Sequence, residues 1–321
     1  MYQIIQKRGI WITISTILVA LSIIALFIWG LKFGIDFTGG SLLEVRFKNE
    51  RPAINDVQKA VEDLDLGSLI TQNVGDQGTI LRFQNISEDK HQEVLKRLRG
   101  LVDRGLVDTE GEADQKAFLN TKEIDASNVE ELRYDAVGPT IGQELRRKSI
   151  TAIVIVLIVI VLYIAWAFRK VSRPVASWKY GISAIIALFH DVIIVVGAFA
   201  VLGRFYGIEV NAPFVAAILT VLGYSVNDTI VVFDRVRENL PKSDDNFEET
   251  INTSVNDTIT RSINTSFTTI LVLLAIFFFG GDSIKDFVLA LSIGIFIGTY
   301  SSIFLASPIL VIWEKVTRNN A

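Results

Sequence analysis

The sequence contains no cysteine. Disulfides, thiolate nucleophiles and cysteine-bound metals are therefore excluded. Histidine is almost as scarce: only His91 and His190 occur, so a zinc centre would have to take most of its ligands from carboxylates, which is uncommon. A net charge of −4 over 321 residues provides no basic field to recruit nucleic acid. No phosphate-binding glycine loop, nucleophile elbow or spaced set of metal ligands is present either. The expectation is a protein that is not an enzyme and uses no cofactor and no metal. Any energy it consumes must come from an ion gradient or a partner.

What the sequence has in excess is apolar residues. Half of it, 50%, is hydrophobic, and its mean hydropathy of +0.42 is too high for an ordinary soluble protein of this size. A membrane helix needs about 20 apolar residues to cross roughly 30 Å of hydrocarbon. Residues 10–31 and 149–168 meet this requirement without a charge. Residues 180–202 are interrupted only by His190 and Asp191, and residues 211–233 only by Asn227 and Asp228. Residues 262–279 begin polar and end aromatic, and residues 287–313 are long enough to cross with tilt. The expected fold class is a polytopic α-helical membrane protein with six transmembrane helices.

Basic residues in short loops set the orientation. Lys7 and Arg8 precede the first span, and Arg169, Lys170, Arg173 and Lys179 lie between the second and third. Arg235, Arg237 and Lys242 follow the fourth, and Lys315 and Arg318 follow the sixth, against only Arg204 and Lys285 on the other side. Both termini are expected in the cytoplasm. The first span reads poorly as a cleavable signal, because its apolar core exceeds the usual ~7–15 residues and no small-residue cleavage site follows Trp29.

Residues 32–148 are charged and turn-rich, which divides the chain into 1–31, 32–148 and 149–321. Alternation predicts strands over residues 41–47, 69–74, 79–83 and 130–137. Ile54, Val57, Val61 and Leu64 form one helix face; Val94, Leu95, Leu98 and Val102 form another, behind a cap at Ser87. The order strand, helix, strand, strand, helix, strand is that of a split βαβ, ferredoxin-like α+β domain, inserted between helices 1 and 2 on the extracytoplasmic side. The acidic stretch 105–128 has no assignment. Ile251, Val255, Ile259 and Ile263 predict an amphipathic helix on the cytoplasmic surface that runs into the fifth span, preceded by a solvated acidic loop at 242–249.

Several stretches together carry a resemblance. Phe33-Gly-Ile-Asp-Phe-Thr-Gly-Gly40 stands just beyond the first span, and a long motif runs from Gly223 through Asn227 and Asp228 to Asn239. Val137-Gly-Pro-Thr-Ile-Gly-Gln-Glu-Leu145, Phe189-His-Asp-Val192 and Arg261-Ser-Ile-Asn-Thr-Ser266 support them. These resemble the signatures of the SecF branch of the SecD/SecF family of protein-export membrane proteins, within the resistance-nodulation-division superfamily. The resemblance covers essentially the whole chain. It implies pairing with SecD in a pseudo-symmetric twelve-span unit beside the SecYEG channel, with YajC and YidC as further partners. That unit uses the proton-motive force to draw unfolded preproteins across the bacterial inner (plasma) membrane. The implied contacts are thus these proteins, preprotein and membrane lipid, with no nucleic acid. The competing readings are half of a small-molecule or lipid exporter of the same superfamily, and a membrane-anchored scaffold.

An ionisable side chain in hydrocarbon costs at least a few kcal/mol, so Asp228 is the leading candidate for ion coupling. In the family the matching aspartate takes part in proton transport. Asn227 and Thr229 are expected to offer it hydrogen bonds. Arg261, where the fifth span enters from the cytoplasm, is its expected partner, holding Asp228 ionised when close and releasing it to protonate when apart; the plainer reading is that Arg261 snorkels to the headgroups. Asp191 with His190 is either a relay or a satisfied polar pair. Asp36, Gly39 and Gly40 are expected to form a hinge or turn between span and domain. Gly223, Gly294 and Gly298 are candidate helix-packing positions, Gly294 and Gly298 forming a small-residue face toward SecD or the fourth span.

Overall fold

The computed structural model describes residues 1–48, 50–105, 128–167, 177–243 and 245–319. Most of the acidic stretch 105–128 and the basic residues Arg169, Lys170 and Arg173 lie outside the described residues. The chain divides into two compact units, one of residues Met1–Lys32 with Lys148–Ala321 and one of Phe33–Arg147.

The Phe33–Arg147 unit is an α/β layer. A one-turn helix α2 (Ile35–Thr38) leads into β1 (Gly40–Phe47), followed by α3 (Ile54–Val61), β2 (Ile70–Val74), β3 (Gly78–Phe83), α4 (Glu88–Gly105) and β4 (Val129–Val137). The sheet order is β2-β3-β1-β4, with every neighbouring pair antiparallel and a register shift opposite Glu44/Val45 of β1, where β4 carries the extra residue Leu132. β1 lies between β3 and β4 and is buried along almost its whole length; alternation turns Leu43, Val45 and Phe47 into a core closed by Val57 and Val61 of α3 and Leu95 and Leu98 of α4. The Ser87 carbonyl accepts from His91 N, the first bond of α4. Gly39 and Gly40 have φ of +74° and +126°, and a Cβ on Gly39 would come within 2.8 Å of Pro139 Cα. The expected hinge is therefore a packed backbone junction, and Asp36 sits in the single turn of α2 beside it.

The other unit is a helical bundle. Its helices are α1 (Arg8–Trp29), α5 (Pro139–Ala167, which begins in the α/β unit), α6 (Ser177–Tyr206), α7 (Ala212–Asn239), α8 (Phe247–Phe279) and α9 (Asp282–Ser301). After α9 the helix widens to a π segment, Ser302–Ala306, and continues as α10 (Ser307–Asn319). Six of these helical stretches are long and apolar enough to cross a membrane, the sixth running through the π segment over Ile284–Val316. The chain is a multi-pass membrane protein. Only 6% of the apolar window of α5 is covered within this chain, against 61% for the sixth span, so the sixth span is central and α5 peripheral. Pro308 accounts for the π segment, since it lacks the N–H that Phe304 O would otherwise receive.

The amphipathic stretch of the fifth span is one continuous helix with it, capped by Asn246 Oδ1, which accepts from Glu249 N. The solvated loop expected at 242–249 thus ends early. Phe247–Glu249 form the first helical turn, and Glu248 pairs with Arg8 at 2.6 Å and with Lys315 at 2.6 Å. The residues ahead of α1 are folded against α8. Asn252 Oδ1 accepts from Ile4 N and Ile5 N, its Nδ2 donates to Tyr2 O, and Asn256 both accepts from Tyr2 N and donates to Tyr2 O.

Candidate functional site

A bundle in hydrocarbon must satisfy its polar groups internally, so the buried polar side chains mark where it departs from plain packing. Two clusters of them stand around the carboxyl groups of Asp191 and Asp228.

Asp191, on α6, is fully buried. Its Oδ2 accepts from Ser225 Oγ of α7 at 2.5 Å and from Ser301 Oγ at the end of α9 at 2.9 Å. Its Oδ1 lies 2.9 Å from Nδ1 of His190. Two hydroxyl donors, from α7 and α9, and the imidazole of His190 therefore converge on one carboxyl group. Gly298 makes this possible: a Cβ there would come within 2.8 Å of Ser225 Cβ. One turn earlier, a Cβ on Gly294 would come within 2.2 Å of Val221 Cγ2, so the glycine pair seats α9 against α7.

Asp228 is 5% exposed and lies one helical turn beyond Ser225 on α7. Its Oδ2 is buried without a hydrogen-bond partner, as is Ser262 Oγ of α8. The Ser262 and Thr299 hydroxyls are its polar neighbours, and Arg261 is the nearest opposing charge. Thr299 in turn shares a 2.5 Å hydrogen bond with Ser266, which Tyr224 OH approaches at 3.3 Å. An orphaned carboxyl oxygen in a buried site is costly, so its retention needs a reason other than packing.

Several expected partners are elsewhere. Asn227 is exposed: it lies about 100° around α7 from Asp228, on the side away from the buried face that Ser225, Asp228 and Thr229 share. A Cβ added to Gly223 would meet nothing within 4 Å, so close packing within this chain does not demand a glycine there. Thr229 hydrogen-bonds Ser225 O and Ser302 Oγ, not Asp228. Among the described residues Arg261 forms no ion pair with Asp228; it opens onto a polar cleft of about 290 Å³ with Asp234, Arg235, Glu238 and Asp257. His190 Nε2 is buried and unpartnered. No group of three or more His, Asp or Glu among the described residues is placed to hold a metal.

Sequence reasoning missed Ser225, Ser262, Thr299 and Ser301. Small hydroxyls in spans usually bond their own helix, so nothing local distinguishes them.

The comparisons with known proteins agree with this architecture. A family model described as "Protein export membrane protein SecD/SecF, C-terminal" matches residues 117–316, and one for the SecD/SecF GG motif matches residues 24–50. "Protein translocase subunit SecF" of Thermobaculum terrenum is 44% identical, with 98% of this chain and 95% of that protein covered. The protein of the same description from Synechocystis is 38% identical over 96% and 93%. SecDF of Thermus thermophilus is 35% identical over 95% of this chain, which spans only 38% of that protein. The crystal structure of Thermus SecDF, a translocon-associated membrane protein, superposes with a TM-score of 0.78 at 31% identity, covering 98% of this chain and 39% of that one. On these matches, and with six spans about a hydroxyl-lined interior, the chain belongs to the SecD/SecF family of protein-export membrane proteins.

Proposed function

We propose that this chain is a SecF-type accessory subunit of the Sec translocase, pairing with a SecD-type partner and using the proton-motive force to promote preprotein movement and release. The observation that carries the reading is the buried, unpartnered Oδ2 of Asp228, with the hydroxyls of Ser262 and Thr299 beside it and Arg261 adjacent on α8. When protonated, Asp228 becomes a donor to those hydroxyls, and Arg261 is free to turn to its cleft. When ionised, it draws the guanidinium inward, since an unpaired carboxylate at bilayer depth costs about 2.5–3.5 kcal/mol or more. Proton arrival and departure thus bias α7 against α8 between two arrangements. The SecDF relatives, in which SecD-type and SecF-type sequences share one chain, support the partnership. The channel, YajC, YidC and preprotein follow as proposed contacts from the family.

In this reading the chain lies in the bacterial inner membrane with both termini in the cytoplasm. The divisions are 1–31, 32–148 and 149–321, and the α/β unit is a ferredoxin-like domain on the far side, between the first two spans. The order β2-β3-β1-β4 supports that assignment. The test is preprotein release from vesicles holding this chain, its SecD-type partner and the channel under an imposed proton gradient. Asp228→Asn should reduce release to the level seen without a gradient. Proton flux that survives neutral substitution of both Asp228 and Arg261 would rule the mechanism out.

A further inference from the structure

The carboxyl groups of Asp191 and Asp228 both lie in the bundle interior, and their surroundings are opposite. Asp228 has an oxygen with no partner; Asp191 has donors on both oxygens. The donors to Asp191 come from the elements that must keep their relation if Asp228 is to work. Ser225 is on α7, one turn from Asp228 on the same helical face. Ser301 lies two residues beyond Thr299, a neighbour of Asp228, and immediately before the π segment. Ser302, the first residue of that segment, bonds back to Ser225 O at 3.3 Å and to Thr229 Oγ1 at 2.8 Å. π segments recur where a helix adjusts at a functional site.

We infer that Asp191 is a positioning residue rather than a second proton carrier: bound by Ser225 and Ser301, it holds the helix bearing Asp228 in register with the helix bearing Thr299. The inference rests on Asp228 as the proton-bearing group. A carboxyl group receiving hydroxyl hydrogen bonds at 2.5 and 2.9 Å on one oxygen, with imidazole 2.9 Å from the other, has its oxygens satisfied in place by the packing of three helices. An amide carbonyl oxygen can accept from the same two serines, so asparagine should replace it, whereas alanine removes the bracket altogether.

The experiment uses the reconstituted complex and two readouts. The first is gradient-driven preprotein release and its pH profile. Asp191→Asn should keep most of the wild-type release with an unmoved pH midpoint. Asp191→Ala should lose about tenfold or more, the effect of removing buried hydrogen bonds from a coupled site. The second reports register without reference to protons. The chain has no cysteine of its own, so a pair introduced by Thr229→Cys and Ser302→Cys, whose hydroxyls lie 2.8 Å apart between α7 and the π segment, can be oxidised and its cross-link measured. Cross-linking should be preserved in Asp191→Asn and should fall in Asp191→Ala. Should Asp191→Ala fail to accumulate, the paired change Ser225→Ala with Ser301→Ala removes the same two bonds with less loss of volume, and should reduce both readouts. Asp191→Asn as inactive as Asp228→Asn, or a shifted pH midpoint, overturns the inference in favour of proton carriage. Unchanged cross-linking in both the alanine and the serine variants overturns it in favour of no positioning role. If instead Asp228→Asn retains release while the cross-link still depends on Asp191, the proton reading fails and the bracket stands.

Discussion

In the α/β unit, Leu43, Leu81, Leu95 and Leu98 are sequestered and the charges face outward. In the helical unit the sequestered positions hold Asp191, Ser225, Thr229 and Ser301 beside an apolar interior that includes Phe199, Leu222 and Phe233, while Ile155, Phe267 and Phe279 face outward. One chain thus obeys the same rule with two solvents. Each unit hides what its surroundings reject, and each polar group excluded from water must find a protein partner. Stability in the first unit comes from apolar area removed from water. In the second it comes from close helix packing and from hydroxyl pairs, because lipid offers apolar side chains as good an environment as the bundle does.

The largest effect that would sharpen this contrast is steric. Gly294→Leu places a side chain where even a Cβ meets Val221 at 2.2 Å, so folded protein should fail to accumulate in the membrane. Gly223→Leu, at an open position on the adjoining helix, should leave the folded chain in detergent with its melting temperature essentially unchanged. Equal damage from both would break the account of the bundle. Next comes Leu95→Ala in the α/β core, expected to cost about 2–5 kcal/mol and to be visible as faster hydrogen exchange across β1 and β3 in the full-length protein. Ile158→Ala, on the exposed flank of α5, should change exchange little, since an equally large deletion there opens no protein cavity.

The smallest effect is one of pH. Hydrogen bonds from Gln92 first, then from His91, hold the Glu88 carboxyl below the ordinary 4.5. A carboxyl with a lowered folded value stabilises the fold above its unfolded value, and that contribution fades as pH falls through the folded one. Glu88 is largely exposed, so the loss is slight. Melting on either side of pH 4.5 should show a small acid-side decline that Glu88→Gln lacks.

The spans were legible because hydropathy is a local property: an uncharged apolar run at 10–31 becomes α1 whatever surrounds it. The strands were legible for a similar reason, since alternation in residues 41–47 yields β1 with Leu43, Val45 and Phe47 inward. The interior of the bundle was not. Asp228 was conspicuous as a charge in an apolar run, but its neighbours are fixed by which faces of α7, α8 and α9 meet, and that depends on side chains far apart in the chain. Asn227 was misleading because adjacency in sequence is not adjacency on a helix. Pro308 did offer a local sign of the π segment, as a residue without an N–H inside an otherwise continuous apolar helix.

The asparagine pair on α8 recognises residues 2–5 through their main chain: Asn252 and Asn256 read amides and carbonyls, not side-chain identity. Mutational tolerance at this contact should therefore be lopsided. In a saturation library, Tyr2 and Gln3, whose side chains are largely exposed, should drift freely, while positions 252 and 256 accept few replacements, because only a side-chain amide both gives and takes a hydrogen bond at that reach.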